Sequence, residues 1–287
     1  MAEAVHLIQD HLALRWRDGD LRREPDHLAV EEPLEIRLGG RRFTLTMRTP
    51  GHDNELAAGF LLAEGFVNTA GDLGEIRQVR GAKGIPEANA LDIILNVPAQ
   101  GLRERLRRNF TISSSCGVCG KASIEALQRR LEPLLPGPRL SAAALLAMPP
   151  AMRAAQKVFS TTGGLHAAAL FIHKPRSATA LGAQPIADLK LEVSREDVGR
   201  HNAVDKVVGY ALVHDLVPAR NCALMVSGRL SFEIVQKAAA AGIPILCAVS
   251  APSSLAVDLA EEVGMTLVGF LRETNFNIYA GAQRIVL

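Results

Sequence analysis

The chain reads as a two-part α/β protein, with a smaller strand-rich α+β domain over residues 1–110 followed by a layered α/β domain over residues 111–287. Two changes of pattern predict it. Period-two alternation prevails in the first hundred residues, whereas from Ser141 onward strand-like and helix-like runs take turns. Alternation of the second kind buries its apolar faces by stacking helices on a mainly parallel or mixed sheet. Between the two patterns lies TISSSCGVCGKAS, too rich in Ser and Gly for the interior of either element, which reads as an exposed, mobile loop over 111–121.

In LEIRLGGRRFTLTM two alternating runs meet at Gly39-Gly40, the signature of a hairpin. After Pro50-Gly51, NELAAGFLLAEGF places apolar residues at helical spacing, with Asn54 as the expected cap and Gly65 near the end. IRQVRGA and LDIILNVP read as two further strands. Basic GLRERLRRNF then leads into the loop. A helix is expected from Ser141 through Val158, its alanines reflecting helix propensity rather than low complexity. Strands HAAALFIH and LKLEVS follow, then a helix from about His201, and then CALMVSG, FEIVQKAAAAG, ILCAVS, SLAVDLAEEVG and MTLVGFL in alternation. No internal repeat is present.

Composition excludes several classes. With 32 Lys and Arg against 30 Asp and Glu, the formal charge is only +2, so no long-range field marks a nucleic-acid binder and any anion site must be local. No uninterrupted apolar run spans a membrane, and the opening MAEAVHLIQDHLALRWRDGD carries acids where a signal peptide needs an apolar core. No membrane partner is expected, and cytoplasm is the expected compartment. Four cysteines in 287 residues make no disulfide framework. Cys222 and Cys247 stand alone in apolar runs and read as core residues.

Cys116-Gly117-Val118-Cys119-Gly120-Lys121 carries the most chemical information, because thiols two residues apart serve metal ligation, dithiol exchange or sulfur relay. Structural zinc wants a second pair of ligands, and neither a second CxxC nor a paired His occurs. A zinc deaminase wants H-x-E and a Pro before its CxxC, yet none of the eight histidines is followed by Glu two positions on, and Ser115 precedes Cys116. No metal site is therefore expected. A dithiol oxidoreductase normally sets its pair between a strand and a helix, which this loop does not offer, though CxxC alone discriminates weakly. Sulfur relay needs a nucleophilic thiolate on a loop that can meet a donor and then an acceptor. Lys121, loop amides and the basic 103–108 segment would favour that thiolate.

Further motifs admit two readings each. In REDVGRHNAVDKVVG, Gly199 precedes a helix whose start holds His201 and Asn202, with Asp205 and Lys206 one turn on. Free amides after Gly199 can hold a phosphate; equally, His201–Asp205 and Asn202–Lys206 can be ordinary i,i+4 pairs. FSTTGGLHAAALF puts a Gly-Gly turn before His166, which suits either close approach to a ligand or a simple strand end. Ser227-Gly228-Arg229 and Ser250–Ser254 follow strands, where open α/β sheets place ligands. Arg229 is the guanidinium expected for a pyrophosphate there, with an i,i+4 pair to Glu233 as the alternative. His52-Asp53-Asn54-Glu55 is explained by helix capping.

The Cys loop, together with RTPGHDNELAAGFLLAEGF, FSTTGGLHAAALF, REDVGRHNAVDKVVG, the long run from SGRLSFEIVQK to LVGFLR, and FNIYAGAQRI, resembles the formate dehydrogenase accessory sulfurtransferases (FdhD). The resembling blocks span nearly the whole chain apart from the extreme N-terminus. The resemblance implies a C-terminal domain of three layers similar to cytidine deaminases but without their zinc, and a homodimer. It implies passage of sulfur from a cysteine desulfurase to the bis-molybdopterin guanine dinucleotide cofactor of formate dehydrogenase, with the cofactor as cargo and nothing permanently bound. Cys116 is the implied persulfide carrier and Cys119 its helper. Phe270, Leu271, Arg272, Glu273, Thr274 and Asn275 are implied to contact the guanine dinucleotide end, and Gly199, His201, Ser227 and Arg229 join them as expected cofactor residues. Rival expectations are a cofactor carrier without sulfur chemistry and a CxxC dithiol oxidoreductase.

Overall fold

The computed structural model describes residues 6–81, 84–96, 131–174 and 188–287. The first elements are β1 (Ile8–Arg17) and β2 (Asp20–Ala29), an antiparallel ribbon that pairs with no further strand among the described residues. Asp18 and Gly19 between them both have positive φ, the backbone a two-residue hairpin turn requires. The register sets Leu12 opposite Pro25, Leu14 opposite Arg23 and Trp16 opposite Leu21, so one face of the ribbon carries exposed Leu12, Leu14, Trp16 and Leu21. The sequence reading did not contain this ribbon.

Next come β3 (Glu32–Leu38) and β4 (Arg41–Arg48), joined at Gly39-Gly40 as expected, and, after α1 (Asp53–Ala63), β5 (Leu73–Arg80) and β6 (Pro86–Leu95). They form a four-stranded sheet in the order β4-β3-β6-β5, with β3 and β6 parallel. α1 begins two residues earlier than a cap at Asn54 predicts. His52 is its N-cap in the left-handed conformation and makes no side-chain cap, while Asn54 lies inside the first turn. The acids of that turn hold the entry instead, since Arg48 grips both oxygens of Asp53 at 2.9 and 2.8 Å.

The helix expected from Ser141 through Val158 is three short ones: α2 (Ala142–Leu146), α3 (Met148–Ala155) and α4 (Lys157–Thr162). Pro149 and Pro150 are the reason for the first break. Proline fits the first turn of a helix, where its missing donor is not needed, and cannot extend a helix already running. Gln156, at ψ 76°, makes the second break.

The second sheet contains β8 (His166–Lys174), β9 (Asp188–Asp197), β10 (Cys222–Val226), β11 (Ile245–Ala248), β12 (Thr266–Gly269) and β13 (Asn277–Ala280), in the order β13-β12-β11-β10-β8-β9. β10, β11 and β12 are parallel and their neighbours antiparallel. The intervening helices are α5 (Arg200–Val213), α6 (Phe232–Ala240) and α7 (Ser254–Glu262). Alternate strand residues part to opposite faces. Leu170, Leu224, Val226, Leu246 and Leu267 join α1, α5, α6 and α7 in the larger core, while Ala169, Phe171, Met225, Cys247 and Val268 face Met148 and Met152 of α3. A short parallel pair, β7 (Leu140–Ser141) with β14 (Ile285–Val286), closes that smaller core.

The larger core also takes Leu34, Ile36 and Ile93 from the four-stranded sheet, so α1 is buried between that sheet and α5. Contact between the helices is backbone on backbone. A Cβ at Gly59 would land on the carbonyl of Asp205, and one at Gly209 on the carbonyl of Glu55. The expected boundary at 110/111 lies outside the described residues. Among the described residues no helix is long and apolar enough to cross a membrane.

Candidate functional site in the crevice at the strand ends

Parallel strands β10, β11 and β12 end on one edge of the sheet, and His166, which opens antiparallel β8, comes to the same edge. A crevice of about 970 Å³ lies there, lined by Arg153, Phe159, Gly163, Gly164, His166, Ser227, Val249 and Glu273 among others. This is where open α/β sheets hold ligands. The split between α3 and α4 builds one wall, because it turns Arg153 back over the ring of Phe159, 4.4 Å from its centroid.

Ser227 is tied to β8: its amide donates to the Ala167 carbonyl and its Oγ accepts from the Ala167 amide, both at 2.9 Å. The hydroxyl proton remains for a ligand. His166 is kept below the usual histidine range, first by burial and then by Arg200, with Asp197 opposing them. On the far side of the crevice, Phe270 follows β12 with a positive φ of 52°, and the Arg272 amide donates to the Asn275 carbonyl to close a tight turn. Within that turn Glu273 lines the crevice and Thr274 and Asn275 are exposed. Arg272 Nη1 donates to the Val249 and Leu271 carbonyls. Leu271 is fully buried in the smaller core, so only its backbone faces outward.

Gly199 and His201 do not line this crevice. They face a second cavity of about 440 Å³, with Asn202, Asp205, Glu233 and Lys237 at its polar end and Phe60 and Leu56 among its walls. His201 Nε2 stands 3.3 Å from Glu233 Oε2 and 3.5 Å from Ser231 Oγ. Burial, only partly offset by Glu233, lowers its pKa to about 4, which leaves a neutral imidazole at pH 7.

The expected i,i+4 pairs of α5 are replaced by pairs across elements. Asp205 binds Lys237 Nζ at 2.8 and 3.0 Å, and burial pushes its carboxyl up to about 7 despite that lysine. Lys206 Nζ lies 2.7 Å from Asp197, while Asn202 donates to the Met47 carbonyl and to Asp197. The reason is that α5 is buried almost all round, so its polar side chains point into neighbours rather than along a wet surface. Arg229 likewise does not pair with Glu233, which serves His201 and Lys237, and it lines neither cavity.

The residue that sequence reasoning passed over is Asp197. Fully buried, it accepts from the Gly199 amide and Asn202 on one oxygen and from the Thr49 amide and Lys206 on the other, fixing the turn that starts α5. Arg153 and Arg200 were also passed over. A cation at the first position of a helix, where the macrodipole repels it, was the available signal for Arg200. Cys222 and Cys247 are buried, with thiols pushed up to about 12 by burial, and are inert as expected. Cys116, Cys119 and Lys121 lie outside the described residues.

The model of the FdhD/NarQ family matches residues 29–286. The chain is 53% identical over 265 residues to the protein named "Sulfur carrier protein FdhD" of Mycolicibacterium paratuberculosis, covering 91% of this chain and 92% of that one. It is 43% identical over 275 residues to the protein of the same name from Saccharolobus solfataricus, covering 95% and 96%. A crystal structure of a formate dehydrogenase accessory protein from Desulfotalea psychrophila has a TM-score of 0.72 at 26% identity, with 98% of this chain and all of that one covered.

Proposed function

The chain belongs to the FdhD/NarQ family, and from that premise we propose that it is a cytoplasmic sulfur carrier that moves sulfur from a cysteine desulfurase, by way of Cys116, to the bis-molybdopterin guanine dinucleotide of a formate dehydrogenase. The observation that carries the reading is the Cys116-Gly117-Val118-Cys119-Gly120-Lys121 sequence in a chain whose relatives are named sulfur carriers. The only other cysteines are buried and inert, so a carrier has to use this pair.

In the first step the Cys116 thiolate attacks the outer sulfur of the donor's persulfide. A new S–S bond forms, the donor's S–S bond breaks, and the donor cysteine leaves as a thiolate. Cys116-S-SH then yields its outer sulfur to the cofactor: the S–S bond breaks, the Cys116 thiolate leaves with the bonding pair, the persulfide proton goes to solvent, and the electron pair of the new bond to sulfur comes from the cofactor as a two-electron-reduced acceptor. The cofactor is the substrate of this transfer. Ser227, the Phe270–Asn275 turn and the wall of Arg153 and Phe159 line or border a crevice large enough for part of it. Gly199 and His201 belong to the adjoining cavity and would meet a different part of the cargo.

The strand order β9-β8-β10-β11-β12, with α5, α6 and α7 joining β9 to β10, β10 to β11 and β11 to β12, supports a deaminase-like three-layer reading; that it works without zinc is proposed from the lack of an H-x-E sequence alone. A homodimer completes the proposal. The direct test is to incubate the purified protein with a desulfurase and cysteine and to map the added sulfur by mass spectrometry. One extra sulfur on Cys116 is expected. A stable Cys116–Cys119 disulfide with no added sulfur would favour a dithiol oxidoreductase instead.

A further inference from the structure

Neither core includes a residue of the β1–β2 ribbon. A two-stranded ribbon is marginal alone in water, yet each strand of this one is ten residues long and it joins no sheet among the described residues. Its two faces differ in chemistry. One neutralises its own charges: Arg15 reaches both Glu24 and Asp26, and Arg22 holds Asp20. The other is apolar and open, with Leu12, Leu14, Trp16 and Leu21 each more than half exposed. A contiguous exposed apolar face of this kind marks an interaction surface.

The apolar face carries an acid and a base, and their placement identifies what covers it. Asp10, near the foot of the ribbon, has a side chain 91% exposed, with His27 at 2.9 Å as its partner. Arg23, opposite Leu14 near the tip, forms no ion pair among the described residues. Leu12 and Pro25 face one another midway between those two levels, two residues from each. A second ribbon laid face to face and reversed about that midpoint therefore sets each Asp10 over the other copy's Arg23. The same reversal lays Trp16 and Leu21 of each copy over Ile8 and Ala29 of the other. Apolar then meets apolar and each charge meets its opposite, twice over, as a two-fold contact between identical surfaces demands. An anionic lipid surface would meet Asp10 with like charge, and a uniformly acidic or basic partner would do so at one of the two positions.

We propose that this face of the ribbon is the surface through which two copies of the chain associate, reversed about Leu12 and Pro25, with Asp10 of each copy against Arg23 of the other. This rests on the homodimer proposed above and gives it an interface; it does not depend on the sulfur chemistry. The foot of the ribbon adjoins the larger crevice, because a Cβ at Gly164 in the crevice wall would stand 3.7 Å from the Cβ of Ala29. Trp16 and Leu21 of one copy therefore arrive beside the crevice of the other, so that each crevice is bordered by both chains.

Charge reversal tests it on the full chain, by sedimentation at low ionic strength, where exposed pairs are least screened. Asp10→Arg and Arg23→Asp each set like charges together at two symmetric places, so either alone should weaken the dimer about tenfold or more. An equimolar mixture of the two variants should recover dimers holding one copy of each, because both contacts are then opposite in sign. Leu12→Glu sets two carboxylates against one another on the two-fold axis and should abolish association. All three positions are exposed, so none of these variants disturbs a core. Single variants that associate as tightly as the unmodified chain overturn the ribbon contact and leave the homodimer standing. Weakening without recovery in the mixture overturns it as well, and so does association that survives Leu12→Glu. An unmodified chain that is monomeric at every concentration removes both the contact and the homodimer, while sulfur mapped on Cys116 reports on the carrier separately.

Discussion

Glu55 shows how much a single side chain can carry in this chain. Burial alone would raise its carboxyl, but the hydrogen bonds from Arg195, with His52 beside it, bring the pKa down to about 2 from an ordinary 4.5. A depressed carboxylate stabilises the fold above its unfolded value and loses that contribution as pH falls through the folded one. Stability from this pair should therefore be full at neutral pH and fall between about 4.5 and 2. Urea melts of Glu55→Gln should show a smaller difference between pH 6 and pH 3, as rough working values, than those of the unmodified protein. The two thiols of the CxxC motif make the second prediction at this scale. One thiolate suffices to hold one sulfane sulfur, so Cys116→Ser should abolish formate dehydrogenase maturation and Cys119→Ser should leave a measurable remainder. Client activity in a strain lacking this protein, at matched expression, checks it; equal and complete loss would favour a disulfide or shared-metal mechanism. The partners of Asp205, Lys206 and Asn202 were not legible in the sequence, because spacing along a helix reveals which residues are adjacent but not whether that face is wet. Asp197 and Lys237 lie in other elements, and only packing brings them near.

Elements with a clear apolar pattern were read correctly: β3 and β4 from alternation about their Gly-Gly turn, and β10 to β12 as short, continuous apolar runs alternating with α6 and α7, because both faces of those strands are buried. The ribbon of β1 and β2 escaped because it has no core side to impose a pattern: β1 alternates at Leu12, Leu14 and Trp16, but β2 sets Arg23 and Pro25 opposite them. Pro149 and Pro150 could have announced the break before α3, since a proline pair inside a run of alanines marks a helix start. The crossing of α1 and α5 yields a third prediction. Gly59 and Gly209 let two backbones touch, so Gly209→Ala must push the helices apart and unseat the core between them. A loss of about 3 kcal/mol or more is expected, at the upper end of overpacking costs. Thermal melts measure it, and an unchanged midpoint would mean that the helices can separate freely.

Across the whole molecule, the crevice draws on residues 149–166, 227, 249 and 273, which meet because β8 runs antiparallel to β10 and brings His166 to the parallel strands' ends. That loops at the strand ends border a crevice was legible in the sequence. That Gly199 and His201 face a separate cavity was not, because it depends on the packing of α5 beside α1 and α6. A fourth prediction belongs at this scale: the protein is a dimer of identical chains. Light scattering across a wide concentration range checks it, and a monomer throughout would remove the claim.

Trp16 is the sole tryptophan of the chain, and it stands 69% exposed on the ribbon, outside both cores. Its fluorescence is consequently a local instrument rather than a folding probe. In the single chain the emission should already resemble that of indole in water, and denaturation of the two cores should change it little. A blue shift can arise only when something dry covers the ribbon. Adding a desulfurase, a client dehydrogenase or more of the protein itself, one at a time, would show by colour alone which of them uses that face.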